Sequence, residues 1–304
     1  MKRRDFLTNS LAAGAGLSMG LGSLSSCSVN GPRKVTVLHT NDVHSHIEAF
    51  DPDHGRYPGM GGVARRATLI QQVRNENPNT LLFDAGDIFQ GTPYFNYFGG
   101  ELEFKMMSRL GYDASTIGNH DFDNGIDGLH KQLPHASFDF LISNYDFSNT
   151  VMDGRTKPYR IFERDGIRIG VFGLGIELKG LVDPKLYKET VYLDPVEITQ
   201  DMARTLKEEE NCDLVIVLSH LGYNYRNNPE RISDLALAER TRGVDLIIGG
   251  HTHTFLKKPT IVKNASEENM LVNQVGCWGV QVGRIDFEFD SKGKASTKGT
   301  SILV

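Results

Sequence analysis

The 304-residue sequence predicts an α/β fold with metal-type side chains gathered along one edge of a mixed sheet. Three observations carry that reading. Short apolar, β-branched runs, among them Val35-Thr36-Val37-Leu38, Leu214-Val215-Ile216-Val217-Leu218 and Val244-Asp245-Leu246-Ile247-Ile248, have the length of buried strands. Helical stretches alternate with them, as in βαβ units. Five polar stretches, Asp42-Val43-His44, Gly86-Asp87, Gly118-Asn119-His120-Asp121, Ser219-His220 and Gly249-Gly250-His251-Thr252-His253, each follow an apolar run. In α/β sheets the ends of strands are where sites are built.

Taken in order, strand 35–38 ends at the Asp42/His44 loop, and a helix is expected over residues 61–75. Val63, Ala67, Ile70 and Val73 recur there at three- and four-residue steps, and Pro78 lies beyond its end. Strand 80–83 delivers Asp84-Ala85-Gly86-Asp87. A helix over 102–110 is stopped by Gly111, and a short strand over 114–117 delivers Gly118-Asn119-His120. Residues 138–175 read as strand-rich, with a hairpin turning at Asp165-Gly166 between 159–162 and 168–172. Residues 195–209 read as helix. The two apolar runs at 214–218 and 244–248 end directly at histidine-bearing loops. Residues 260–289 show two or three strand-like runs and no clear helix. From Lys34 onward no repeat or linker interrupts the chain, which predicts one domain over 34–304.

The formal net charge is −5, and residues 1–26 hold Lys2, Arg3 and Arg4 against Asp5, so their removal makes it two units more negative. That balance argues against a nucleic-acid polymer as partner. An acidic protein that handles phosphates must attract them locally, through bound cations. Lys2-Arg3-Arg4-Asp5-Phe6-Leu7 resembles a twin-arginine export signal, and the Gly- and Ser-rich apolar stretch 11–24 is too short for a spanning helix. Leu24-Ser25-Ser26-Cys27 looks like a lipobox, so residues 1–26 are expected to be a cleaved signal, Cys27 to be lipidated and 27–33 to form a tether. The expected location is an exported, membrane-anchored lipoprotein facing the periplasm or the cell surface. Cys212 and Cys277, without a second Cys near either, read as small buried residues rather than a disulfide framework.

The polar stretches supply seven metal-type ligands: His44, His220, His251, His253, Asp42, Asp87 and Asn119. Scattered ligands need a fold to bring them together, and this set is that expected of a two-metal hydrolase. Asp42 and His44, two apart in a loop, can face one ion with His253. Asn119, His220 and His251 can face a second. Asp87, with two carboxylate oxygens, can bridge. Asp84 reads as a hydrogen-bond acceptor behind them. The single residue between His251 and His253 suits an extended backbone facing two ions. His39, His46, His54, His130 and His135 follow no such pattern, with His46 and His54 expected to line the entrance. The mixed donor set accepts Zn, Mn or Fe. Gly16-Leu17-Ser18-Met19-Gly20 fits a serine-hydrolase elbow but lies inside the signal. Gly170, Gly173 and Gly175 lack dinucleotide-fingerprint spacing, and no P-loop occurs.

Leu38-His39-Thr40-Asn41-Asp42-Val43-His44, Asp84-Ala85-Gly86-Asp87, Gly118-Asn119-His120-Asp121-Phe122-Asp123 and Gly250-His251-Thr252-His253 resemble, in order and spacing, the metallophosphatase domain of 5′-nucleotidases, within the calcineurin-like phosphoesterases. The resemblance spans residues 35–289. It implies a sandwich of mixed β-sheets flanked by helices, two divalent ions, and His120 with Asp123 as catalytic pair. It also implies that a hydroxide held between the ions attacks phosphorus in line while His120 helps the leaving oxygen depart.

Typical 5′-nucleotidases continue into a second domain that reads the nucleotide, whereas this sequence stops at Val304. Two expectations follow: a domain acting alone on exposed phosphate esters, or one completed by a separate polypeptide. The expected substrate is a nucleotide, with cyclic phosphodiesters and nucleotide sugars as alternatives. A hydrolase of sulfur-oxyanion esters and a non-catalytic metal-bound subunit are the competing readings.

Overall fold

In the computed structural model, which describes residues 33–228, 230–291, 293 and 295–304, the apolar runs sort into two sheets. The twin-arginine segment, the apolar stretch and Cys27 lie outside the described residues. The first sheet contains β1 (Arg33–Thr40), β2 (Thr80–Asp84), β3 (Ala114–Ser115), β4 (Asp139–Phe140), β13 (Gln281–Phe289) and β14 (Ala295–Leu303), ordered β14-β13-β1-β2-β3-β4. The second contains β6 (Tyr159–Arg164), β7 (Ile167–Leu174), β9 (Leu214–Ser219), β10 (Leu246–Gly249), β11 (Thr260–Lys263) and β12 (Asn269–Asn273), ordered β11-β12-β10-β9-β7-β6. A short pair, β5 (Tyr145–Asp146) with β8 (Val191–Tyr192), stands apart. The helices are α1 (Val63–Glu76), α2 (Pro93–Phe98), α3 (Glu101–Leu110), α4 (Gly125–Gln132), α5 (Pro184–Tyr187), α6 (Pro195–Arg204) and α7 (Asp234–Arg240).

Alternation along the strands decides which face meets what. Val35 and Val37 of β1 and Leu81 and Phe83 of β2 pack between the sheets against Val171, Ile216, Leu218 and Ile248. Their neighbours Leu38 and Leu82 point the other way, onto Ile70 and Val73 of α1 and Phe104 of α3. On the far side, Val215, Val217 and Ile247 meet Ala203 of α6 and Leu237 of α7. The layers therefore run helix, sheet, sheet, helix. Each fully buried side chain of this kind contributes roughly 1.5–3 kcal/mol. Phe83→Ala, opening a hole between the sheets, would cost about 3–5 kcal/mol.

β1, β2 and β3 run parallel, as do β7, β9, β10 and β12. Five strand ends, after β1, β2, β3, β9 and β10, carry the polar stretches. The Asp165-Gly166 hairpin forms with Arg164 opposite Ile167 and both turn residues at positive φ (54° and 67°), the turn that matches strand twist. β3 is two residues long rather than four: the Thr116 N–H still bonds the Asp84 carbonyl of β2, and the chain then runs on to Gly118. The helix expected over 195–209 ends its α-helical part at Arg204 and continues as a wider π turn over Thr205–Glu209. α2, α4, α5, α7, β8 and β14 were not anticipated.

Candidate metal centre

Three of the five loops, those after β1, β2 and β10, are shaped by unusual backbone at the donors themselves. Asp42 (φ 49°), His44 (φ 49°), Asp87 (φ 54°), His251 (φ 70°) and His253 (φ 50°) all occupy the left-handed region, sparsely populated by residues with a Cβ. This corrects the extended backbone expected at 251–253: His251 and His253 are left-handed on either side of Thr252, and the segment is not straight. Two glycines make room. Gly86 sits at φ 85°, and a Cβ there would lie 2.7 Å from the Gly118 nitrogen. A Cβ on Gly118 would overlap the Asp87 carboxylate, so the loops after β2 and β3 touch only because both lack side chains.

Two groups of side chains could each hold a metal ion: Asp42, His44 and His253, and Asp87, His220 and His251. In the first group His44 Nε2 and His253 Nε2 are 3.0 Å apart, and Asp42 Oδ1 is 3.3 Å from His253 Nε2. In the second, Asp87 Oδ2 is 3.0 Å from His220 Nε2, and His251 Nδ1 lies 2.8 Å from Asn119 Oδ1. All seven expected ligands are brought together. Asp87 Oδ2 is also 3.8 Å from His44 Nε2, and Asp42 Oδ1 is 3.9 Å from His220 Nε2, so both carboxylates face both groups.

The hydrogen bonds behind these atoms fit a cation. His44 Nδ1–H donates to the Phe89 carbonyl (3.1 Å) and His220 Nδ1–H to that of Ala85 (2.6 Å), which leaves each Nε2 lone pair pointing at its group. His220 Nε2 is buried, with Asp87 Oδ2 beside it at 3.0 Å. Burial alone would lower the pKa of His220, but Asp87 and Asp42 overcome it and push it up to about 10. At His253 burial is likewise overcome, by Asp42 and the Cys277 thiol, again to about 10. The carboxylates thus favour positive charge at these positions, and a divalent ion would take the place of the protons.

His120 and Asp123 sit beside the groups, in and after a 3₁₀ turn over His120–Phe122. His120 Nδ1–H donates to Asp123 Oδ2 at 2.9 Å, and the His120 ring lies 5.3 Å from that of His44. The Asp123 hydrogen bond holds the His120 pKa above its ordinary value, against burial. The His120 backbone N–H donates to Asp87 Oδ1 at 2.8 Å, tying the pair to the second group.

Several supporting residues escaped the sequence reading. Asp121 accepts from the backbone N–H groups of Asp87, Ile88, Phe89 and Gly118, clamping the loop after β2 to the loop after β3. Burial pushes its carboxyl up to about 7. Asn41 donates to Asp42 Oδ2 (2.7 Å) and to the Gly276 carbonyl (2.6 Å). Asp84 accepts from Thr40, Ser115 and the Gly86 N–H, in the accepting role expected of it. The signal for Asp121 and Asn41 was their place inside the motifs.

Of the other histidines, His39 is fully buried between the sheets and accepts a hydrogen bond from Asn273 Nδ2 (2.8 Å). His46 lies against Phe50 and Trp278, and His54 against Phe50 and Tyr57, in an aromatic cluster that reaches His253 through Trp278. His130 is on α4, and His135 is 3.9 Å from Glu101, both outside the two groups. Cys212 and Cys277 are buried and unbridged.

Two facing mixed sheets between helices, with paired His, Asp and Asn donors at one edge, define a metallophosphoesterase. The chain belongs to the calcineurin-like phosphoesterase family, whose family model matches residues 35–255. It is 35% identical over 302 residues to the trifunctional nucleotide phosphoesterase protein YfkN of Bacillus subtilis, covering 89% of this chain and 19% of that protein. It is 34% identical to the 5′-nucleotidase of Homo sapiens, covering 90% of this chain and 50% of that one. The crystal structure of a 5′-nucleotidase precursor from Thermus thermophilus superimposes with a TM-score of 0.79 at 36% identity, over 89% of this chain and 54% of that chain. The chain thus spans about half, or less, of the length of these relatives.

Proposed function

We propose that the chain hydrolyses nucleotide phosphomonoesters at the edge where the two sheets meet, with one divalent ion held by Asp42, His44 and His253, another by Asn119, His220 and His251, and Asp87 between them. The observation that carries this reading is the His120–Asp123 pair (2.9 Å) placed beside two convergent donor groups. Bound ions of this kind offset negative charge on the phosphate and lower the pKa of water toward neutrality. The remaining work falls to the protein. His120, its Nδ1 proton accepted by Asp123, carries a second proton at Nε2 for the departing ester oxygen. Asp121 and Asn41 hold the loops so that the donors stay in register. The 5′-nucleotidase names of the relatives support a nucleotide as substrate, and the His, Asp and Asn donor chemistry supports Zn, Mn or Fe.

The sequence also supports export, with residues 1–26 as signal, Cys27 lipidated, 27–33 as tether and 34–304 as the catalytic domain. Cys27→Ser should then shift the protein from the membrane to the soluble fraction, and an unchanged distribution would refute the anchor.

The test of function is turnover of AMP, a cyclic nucleotide and p-nitrophenyl phosphate by the purified chain with Mn, with Zn and without metal. Metal-dependent hydrolysis of AMP is expected. Metal loading without hydrolysis of any ester would overturn the reading. Hydrolysis of the small ester alone would overturn the nucleotide assignment.

A further inference from the structure

Behind the loop that carries Asp42 and His44 lie two charged side chains that the proposed chemistry does not use. Arg66 is on the inward face of α1 and Glu103 on that of α3, each 3% exposed. Each grips the loop next to His44: Arg66 Nη2 donates to the His46 carbonyl (3.3 Å), and Glu103 accepts from the Ser45 hydroxyl. Arg66 also shapes the loop on the other side of Asp42. A Cβ on Gly279 would overlap its guanidinium, and the neighbouring Trp278 N–H donates to the Asp42 carbonyl at 2.7 Å.

These grips leave Arg66 Nε and Nη1 and Glu103 Oε2 buried without hydrogen-bond partners. Unpartnered buried charge is among the most costly features a fold can carry. Arg66, Glu103 and Ser45 line one small cavity of about 20 Å³, bounded otherwise mainly by apolar side chains such as Val43, Ile88 and Met107. A buried water needs roughly 10–15 Å³ and at least two polar partners. The cavity is large enough for one, and Arg66, Glu103 and Ser45 are polar residues on its lining.

We propose that one ordered water in this cavity joins Arg66 to Glu103, accepting from the guanidinium and donating to Glu103 Oε2, and that the bridged pair positions the Asp42/His44 loop. Both residues act through the loop and are positioning residues. The proposal rests on the assignment of the first metal group. It does not depend on the ester hydrolysed, so its test uses readouts other than turnover.

In the full-length chain, Arg66→Met and Glu103→Met should each lower the melting temperature and weaken the first-group Mn²⁺ by about 10–100-fold in calorimetry, the usual cost of losing a residue behind a ligand. The double variant should recover much of the melting temperature, since no charge is left unpaired. Its Mn²⁺ affinity should stay low, because both grips on the loop are gone. Losses in melting temperature that simply add, or unchanged Mn²⁺ affinity in the single variants, would overturn the proposal. Should Arg66→Met fail to fold, Glu103→Gln with a high-resolution crystal structure of the unaltered protein decides. Weakened Mn²⁺ binding and a water bonded to both side chains support the bridge, and a dry cavity refutes it.

Discussion

The two donor groups are built from the same residue types yet differ in how they are enclosed. In the second, His220 is fully buried and its ring is fixed across the sheets by the Ala85 carbonyl of the first sheet. In the first, the His253 side chain is 37% exposed and borders the aromatic cluster around Trp278. Enclosure makes donors rigid and removes competing water, whereas exposure lets an ion or a substitute ligand enter from solvent. Each group has two buried donors and one part-buried donor, so the contrast lies between His220, closed off inside the fold, and His253, open to solvent.

The strongest way to break this contrast is to remove what the groups share. Asp87→Asn should strip both metals and leave only background turnover, measured by elemental analysis and AMP hydrolysis. His220→Ala should lose the second metal and destabilise the fold by about 3–5 kcal/mol, the range for removing one partner of a buried pair, with denaturant melts as the check. His120→Ala should keep both metals while turnover falls about 100- to 10,000-fold. Loss of metal in that variant would move His120 into the ligand set. His253→Ala should lose the first metal with little change in melting temperature, and added imidazole should restore activity. The same addition to His220→Ala should do nothing, because the His220 position is closed to solvent.

The smallest effect concerns pH. Asp123 raises the pKa of His120, so the protonated form persists to higher pH and activity falls as pH rises through that raised value. Asp123→Asn should move this alkaline limb to lower pH while leaving metal content unchanged. An unmoved limb would detach Asp123 from the role.

The site was more legible than the scaffold. Seven polar residues directly after apolar runs announced a common edge, since convergence at strand ends is what parallel strands impose. The division into two sheets was not announced by the apolar runs themselves. Val35-Thr36-Val37-Leu38 and Leu214-Val215-Ile216-Val217-Leu218 look alike as sequence, and only pairing assigns them to different sheets. β14 was invisible because Ala295–Leu303 is an edge strand with mostly exposed side chains and almost no apolar signal. On α1 the apolar spacing identified Ile70 and Val73, but the buried face also includes Arg66, which a charge-based reading would put in solvent. α7 is announced only by its cap, Ser233 accepting from the Ala236 N–H.

The left-handed backbone at Asp42, His44, Asp87, His251 and His253 has a kinetic corollary. Such conformations persist only where surrounding packing dictates them, so the donors are set in place by the fold rather than gathered by the ion. Loading should then resemble filling a rigid chelator. Its rate would follow how fast each cation sheds its hydration water, with no slow rearrangement of the polypeptide, and would rank Mn²⁺, Fe²⁺ and Zn²⁺ by their own chemistry.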